Sequence, residues 1–213
     1  MGGSAYAKNA AIVENRPGAG GRIALDGLKS SAADGSVLAL SPFSCTSIYP
    51  HVYKKFSYDP VADFAPVSIA AIMHHGLSVG PMVPDSVKDV KGFIAWAKAN
   101  PDKANYGSPA AGSTPHFLGA LLGLSQNVEL KHIPYRGSVP GLVDVMGGQI
   151  ACMFCPANAA INAALKDKGL VDGLAVVVLL AQGSTPEEMA RSQRAEFERW
   201  GPLVKRIGFT ADS

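Results

Sequence analysis

Two periodicities divide the chain. Ala11-Ile12-Val13 is a short apolar, β-branched run closed by Glu14-Asn15-Arg16-Pro17-Gly18, where the Pro-Gly pair enforces a turn; it predicts a strand and then a loop. From Gly20 the apolar residues Ile23, Leu25 and Leu28 fall on helical spacing as far as Asp34-Gly35, and Ser36-Val37-Leu38-Ala39-Leu40 predicts a second strand. A strand, helix, strand order argues for parallel pairing. Ser41-Pro42-Phe43-Ser44 then follows at a strand's carboxyl end, where open α/β sheets place their ligands.

Further along, Val67 to His74 and Gly76 to Val83 predict two strands on either side of the His74-His75 pair. A helix is expected from Asp85 through Phe93, Ile94, Trp96 and Ala97 to Asn100-Pro101, with Ser86 and Asp89 in capping-box spacing. Asn105-Tyr106-Gly107 leads into the Gly/Pro/Ser loop from Ser108 to Pro115, and a helix is expected over Pro115 to Leu124. Glu129 to Ile133 predicts a strand, Val139 to Met146 a helix closed by Gly147-Gly148, and Gln149 to Phe154 a strand ending at Cys155-Pro156. Alanine and leucine dominate from Ala157 to Leu180. The last element is an amphipathic helix, Pro186 to Ile207, opening after Ser184 or Thr185 with Glu187 and Glu188 in its first turn. No internal repeat is visible.

Composition narrows the function classes. With 19 basic and 17 acidic residues in 213, the net charge of +2 is too small and too evenly spread for a nucleic-acid footprint. A hydrophobic share of 47% excludes a disordered chain. The 23 glycines and 15 prolines show no period, which removes a collagen-like reading and points to tight loops. Cys45, Cys152 and Cys155 allow at most one disulfide, so the chain is no disulfide scaffold. The longest apolar run, Leu174 to Ala181, is far short of the roughly 18 to 20 residues a membrane span needs, and Met1-Gly2-Gly3-Ser4 carries no export signal; as written, the chain is expected to be soluble.

Candidate chemistry concentrates in the loops. Gly112-Ser113-Thr114-Pro115-His116 puts hydroxyls at a helix N-cap and proline at the first turn, leaving backbone N–H groups and the positive dipole end to meet a carboxylate or phosphate; the same hydroxyls equally serve as plain caps. Gly137-Ser138-Val139-Pro140 is a second start of the same kind, and two converging N-termini favour an anion site. Arg136 beside it is either a bidentate carboxylate partner or a solvated surface arginine. Gly18-Ala19-Gly20-Gly21-Arg22-Ile23 begins like a dinucleotide fingerprint but has Ile23 at the last glycine position, and reads as a tight turn. Cys152 and Cys155, three apart on a strand, face opposite ways and read as buried structural cysteines rather than a zinc or redox pair. The histidines have no HxxxH or HExxH spacing for metal. Ser108, Ser113 or Ser138 with His116 keeps a hydrolase open as one alternative, although no G-x-S-x-G elbow exists, and an inactive shortened chain that binds no ligand is the other.

Several stretches in order resemble one family. Val13 to Gly21, Tyr58 to Val67, Gly112-Ser113-Thr114-Pro115-His116, Pro134-Tyr135-Arg136-Gly137-Ser138 with Gly147 to Ile150, and Gly183 to Trp200 are similar to the Bug family, the TctC-like receptors of tripartite tricarboxylate transporters. The resemblance implies an α/β protein of the periplasmic-binding-protein type II class, with two lobes and mostly parallel sheets. Residues 1–104 would form the first lobe, 105–160 a shortened second lobe, and 161–213 a helical return to the first. It implies periplasmic binding of a di- or tricarboxylate or an aromatic acid, with membrane transporter subunits as partners and neither catalysis nor cofactor. The implied ligand residues are Ser41, Ser44, Thr46 and Ser47 on the first lobe, and Ser108, Ser113, Thr114, His116, Gly137 and Ser138 on the second. Compared with the family, a first strand and its glycine-rich loop are missing before Val13, and a segment is missing between Asn158 and Ile161. Cys155 stands where the family often has an aspartate facing the cleft. A shortened fold leaves edge strands and apolar faces uncovered, so homo-oligomerisation or marginal stability is expected.

Overall fold

A computed structural model of the chain describes residues 11–157, 159, 179–181 and 183–211. The strand, helix, strand start is corrected by it. Helix α1 (Arg22–Lys29) forms and buries Leu25, but residues 11–13 and 36–40 are not strands. Ile12 is 93% and Leu40 84% exposed. β-Branched composition is a preference that only a ladder partner converts into a strand, and none faces these segments among the described residues.

Two short helices follow, α2 (Ser44–Ser47) and α3 (Tyr49–Val52). Strands β1 (Ala71–Met73) and β2 (His75–Val79) then form on either side of His74, both shorter than their apolar runs. Helix α4 (Val90–Ala99) begins later than Ser86 would place it. Asp89 is itself the N-cap, its carboxylate accepting from the Gly92 N–H at 2.6 Å, so it does not sit inside the first turn.

The central sheet runs in the order β2, β5 (Cys152–Pro156), β3 (Asn105–Ser108), β4 (Lys131–Pro134). It is mixed: β3 is parallel to both β4 and β5, while β2 is antiparallel to β5. Helix α5 (Thr114–Gln126) connects β3 to β4 and α6 (Ser138–Met146) connects β4 to β5, the crossovers that parallel pairing requires. Strand β6 (Leu179–Ala181) pairs antiparallel with β1 as a separate two-stranded sheet. Helix α7 (Pro186–Ile207) starts in a full capping box between Thr185 and Glu188 and ends at Gly208, which is left-handed at φ 71°.

The period of two on β5 sorts the core. Cys152 and Phe154 face Val83, Phe93, Ile94, Tyr106 and Ala151, while Met153 and Cys155 face Leu142, Val145 and Ile150 under α6. Val83, Phe93 and Ile94 therefore share a hydrophobic unit with Tyr106, across position 104. A second unit joins Leu25, α2 and α3 to Trp200 and Val204 of α7. Helix α5 lies between the two, sending Phe117 into the one and packing Leu118 and Leu122 against the other. Gly119 permits its close approach to the sheet, since a Cβ there would lie 2.2 Å from the Tyr106 ring.

All three cysteines are buried and none is in a disulfide. Burial pushes the Cys45 thiol up to about 12, which keeps it protonated and unreactive near neutrality. Cys155 packs under α6 with no exposed surface, so it does not face a cleft. The expected loss between Asn158 and Ile161 lies outside the described residues. No described helix is long and apolar enough to cross a membrane.

Candidate functional site

The sheet brings two helix starts together. Beyond the strands themselves, the Tyr135 N–H donates to the Ser108 carbonyl and the Gly137 N–H to the Pro109 carbonyl, both at 2.9 Å, so the loops ahead of α5 and α6 leave β3 and β4 side by side. The first turn of a helix lacks internal acceptors for its N–H groups. Pro115 removes one donor from α5, leaving Thr114 and His116. Pro140 does the same for α6, leaving Ser138 and Val139. Gly137, at φ 103° with open space where a Cβ would stand, lets the chain turn into α6 without covering those amides.

The hydroxyls expected on the second lobe divide by position. Ser113 is the N-cap residue of α5, yet its Oγ donates backwards to the Ala110 carbonyl at 2.7 Å instead of capping. Ser108 is fully buried, donating to Ala110 O at 3.0 Å and lying 2.8 Å from His132 Nε2. Thr114 and Ser138 are half-buried and make no side-chain hydrogen bond among the described residues. They are the two hydroxyls available to a ligand beside the free amides. Arg136, next to them, is exposed.

His116 works beneath the loop. Its ring is buried, and Nδ1 accepts the Gly112 N–H at 3.0 Å, which holds the left-handed turn at Gly112 (φ 75°) against the start of α5. The ring stacks on His132 with centroids 3.8 Å apart. Burial, followed by the neighbouring His132, brings His116 down to about 3; burial brings His132 down to about 4. Both imidazoles are neutral near pH 7. Ser108 with His132 is the one serine–histidine hydrogen bond among the described residues, and with its Oγ out of solvent it offers no nucleophile to a substrate.

On the first lobe, α2 spends its hydroxyls internally. Thr46 Oγ1 and Ser47 Oγ both donate to the Phe43 carbonyl, at 3.2 and 2.8 Å, and Ser44 is buried against the Tyr49 hydroxyl. Ser41 lies in the half-buried loop before α2. The contact between this region and the α5 loop runs instead through α3 and the residue after it. A Cβ on Gly112 would lie 3.1 Å from Val52 Cγ1, and the Tyr53 hydroxyl donates to the Ala111 carbonyl at 3.4 Å.

Arg22 is the residue that sequence reasoning passed over. Its guanidinium lies 3.7 Å from the Tyr53 ring centroid. One local sign existed: a cation at the first position of a helix opposes the dipole, so its placement there asks for another reason. No group of three or more potential metal ligands occurs among the described residues.

Comparison with known proteins gives three consistent results. The profile of the family described as tripartite tricarboxylate transporter family receptor matches residues 4–187. A curated Cupriavidus necator relative, the UPF0065 protein in the gbd 5' region, is 39% identical over 142 residues, covering 65% of this chain and 41% of its own length. The chain thus spans about two fifths of that relative. Among solved structures, a periplasmic transporter superposes with a TM-score of 0.78 at 25% identity over 94% of this chain and 87% of its own. An R. palustris protein with adipate also gives 0.78, at 23% identity over 96% and 88%. The α/β architecture is that of periplasmic binding proteins.

Proposed function

The chain belongs to the tripartite tricarboxylate transporter receptor family, and from that premise we propose that it binds a small di- or tricarboxylate as the periplasmic solute receptor of such a transporter. The observation that carries this reading is the pair of helix starts tied together by the Gly137–Pro109 hydrogen bond, with the Thr114 and Ser138 hydroxyls unspent beside them. Two helix N-termini with free amides favour a carboxylate by charge and by hydrogen bonding at once. His116 and Ser113 support this site by shaping the Ala110–Gly112 turn. The membrane subunits of the transporter are the partners of the full receptor in this reading, and no cofactor takes part.

Adipate is the probe of choice. A ligand that binds only the folded state at about a hundred times its Kd adds about 2.7 kcal/mol of stability. A clear rise in melting temperature with adipate is therefore expected, and it should vanish in the Thr114→Val/Ser138→Ala double variant while the variant's own melt is retained. No rise in the unmodified chain would remove the reading.

We also place self-association in this reading, carried by the exposed apolar residues Ile12, Val13, Leu38 and Leu40. Light scattering at micromolar concentration should show species larger than a monomer. A monomer with a cooperative melt would overturn this part.

A further inference from the structure

Outside the helix-start site, the strongest unspent chemistry lies where α1 begins. A cavity of about 340 Å³ is lined there by Ala19, Arg22, Asp26, Lys55, Phe56 and Ser57. Arg22 and Lys55 form no ion pair among the described residues. Asp26 is the counter-ion that helical i,i+4 spacing would offer Arg22, yet its carboxylate accepts instead from the Ser57 hydroxyl. Lys29, the other nearby cation, is already taken by the Ser57 carbonyl and by Asp63, at 2.9 and 2.8 Å. The cavity therefore carries an excess of one positive charge, with the Phe56 ring as its apolar wall.

Arg22 is also held in place. Its guanidinium lies over the Tyr53 ring, Nε donates to the Ala19 carbonyl at 3.3 Å, and Tyr53 is itself fixed by its hydroxyl on Ala111 and by its edge contact with Tyr49. An arginine whose stem and plane are fixed loses less freedom on gripping an anion than a free surface side chain does. The turn that delivers it is fixed too: the Tyr49 hydroxyl and the Cys45 thiol both donate to the Gly20 carbonyl, at 3.1 and 3.4 Å.

We propose that this cavity is a second anion site, distinct from the α5 and α6 helix starts, and that it takes an aryl carboxylate. The Arg22 guanidinium takes the carboxylate, Lys55 adds a second charge, and the ring of the ligand lies against Phe56. A carboxylate matches the single excess charge, and an aromatic body matches the apolar wall, which a fully polar dianion would leave unused. The site does not depend on the helix-start reading.

Benzoate is the probe, followed by calorimetry and by the side-chain Nε–H resonance of Arg22. Binding by the unmodified chain is expected to move that resonance. Arg22→Gln should weaken benzoate by about tenfold or more, the loss of one charge-assisted bidentate pair, and Arg22→Lys should fall between. Lys55→Gln should cost a smaller factor, and the Thr114→Val/Ser138→Ala variant should bind benzoate as before. The proposal is overturned if benzoate leaves the Arg22 resonance unmoved at about 10 mM, far above a useful Kd. It is equally overturned if Arg22→Gln and Lys55→Gln, both with unchanged melts, bind benzoate within about twofold of the unmodified chain.

Discussion

Phe117→Ala is expected to destabilise the chain by about 3–5 kcal/mol, the usual result of emptying a fully buried aromatic site. Phe117 has no exposed surface, sits 5.9 Å from the Trp200 ring and packs edge-on against Phe209. It is the side chain of α5 that enters the core under α7, while Leu118 and Leu122 of the same helix serve the core under the sheet. Removing it leaves a cavity at a helix that packs into both units, so the two should come apart in unfolding as well as weaken. A domain of this kind has about 5–15 kcal/mol in all, which makes the loss a large fraction of the total. Urea unfolding followed by fluorescence and by far-UV circular dichroism measures it. Leu124→Ala, on the same helix but 49% exposed, should stay within about 0.5 kcal/mol of the parent. Equal effects of the two substitutions would contradict the assigned role of α5.

What could be read before the fold was known follows the range of the interactions involved. Helix α7 was legible to its ends because Thr185, Glu188 and Gly208 act within a few residues of the helix they bound. Helices α5 and α6 were legible for the same reason, and Cys152 and Cys155 were placed on opposite faces by strand period alone. Asp89 shows the limit of such local signals. The capping pattern was present, but two candidate caps four residues or fewer apart compete, and only the bond to Gly92 decides between them. Residues 11–13 and 36–40 failed differently, since a strand needs a partner that no local pattern supplies.

The candidate site divides along the same line. Thr114 and Ser138 stand at helix starts that proline and glycine announce, so their position was readable. That Thr46, Ser47 and Ser113 turn their hydroxyls onto nearby carbonyls, and Ser44 onto the Tyr49 hydroxyl, is a matter of rotamer and backbone, invisible in residue type. The Arg22–Tyr53 contact spans thirty-one positions and left no pattern beyond the misplaced charge at a helix start.

Acid should begin to destabilise this protein before its carboxylates are neutralised. Buried His116 and half-buried His132 are stacked and neutral, with folded values near 3 and 4 against 6.5 for a free imidazole. Among the described residues the groups facing them are the Tyr106, Phe117 and Phe209 rings, the Ser108 hydroxyl and the Gly112 N–H, with no carboxylate placed to offset a positive charge. Protonating His116 at Nδ1 would also put two donors face to face at Gly112. Between pH 6.5 and about 4 the unfolded chain thus binds protons at these two positions that the folded chain does not. Stability is complete above the unfolded value and is lost as pH falls below it, with a slope of at most about 1.4 kcal/mol per pH unit for each imidazole. His132, only half-buried, should fall short of that limit. Urea unfolding at steps from pH 7 down to about pH 5 should show the decline, in a range where ordinary carboxylates remain ionised. Replacing His132 by Phe, which keeps a ring against His116 and removes one titrating group, should flatten it. A profile that stays level to pH 5 and breaks only near pH 4 would assign acid unfolding to the carboxylates instead, and would mean that the stacked pair takes up its protons without leaving the fold.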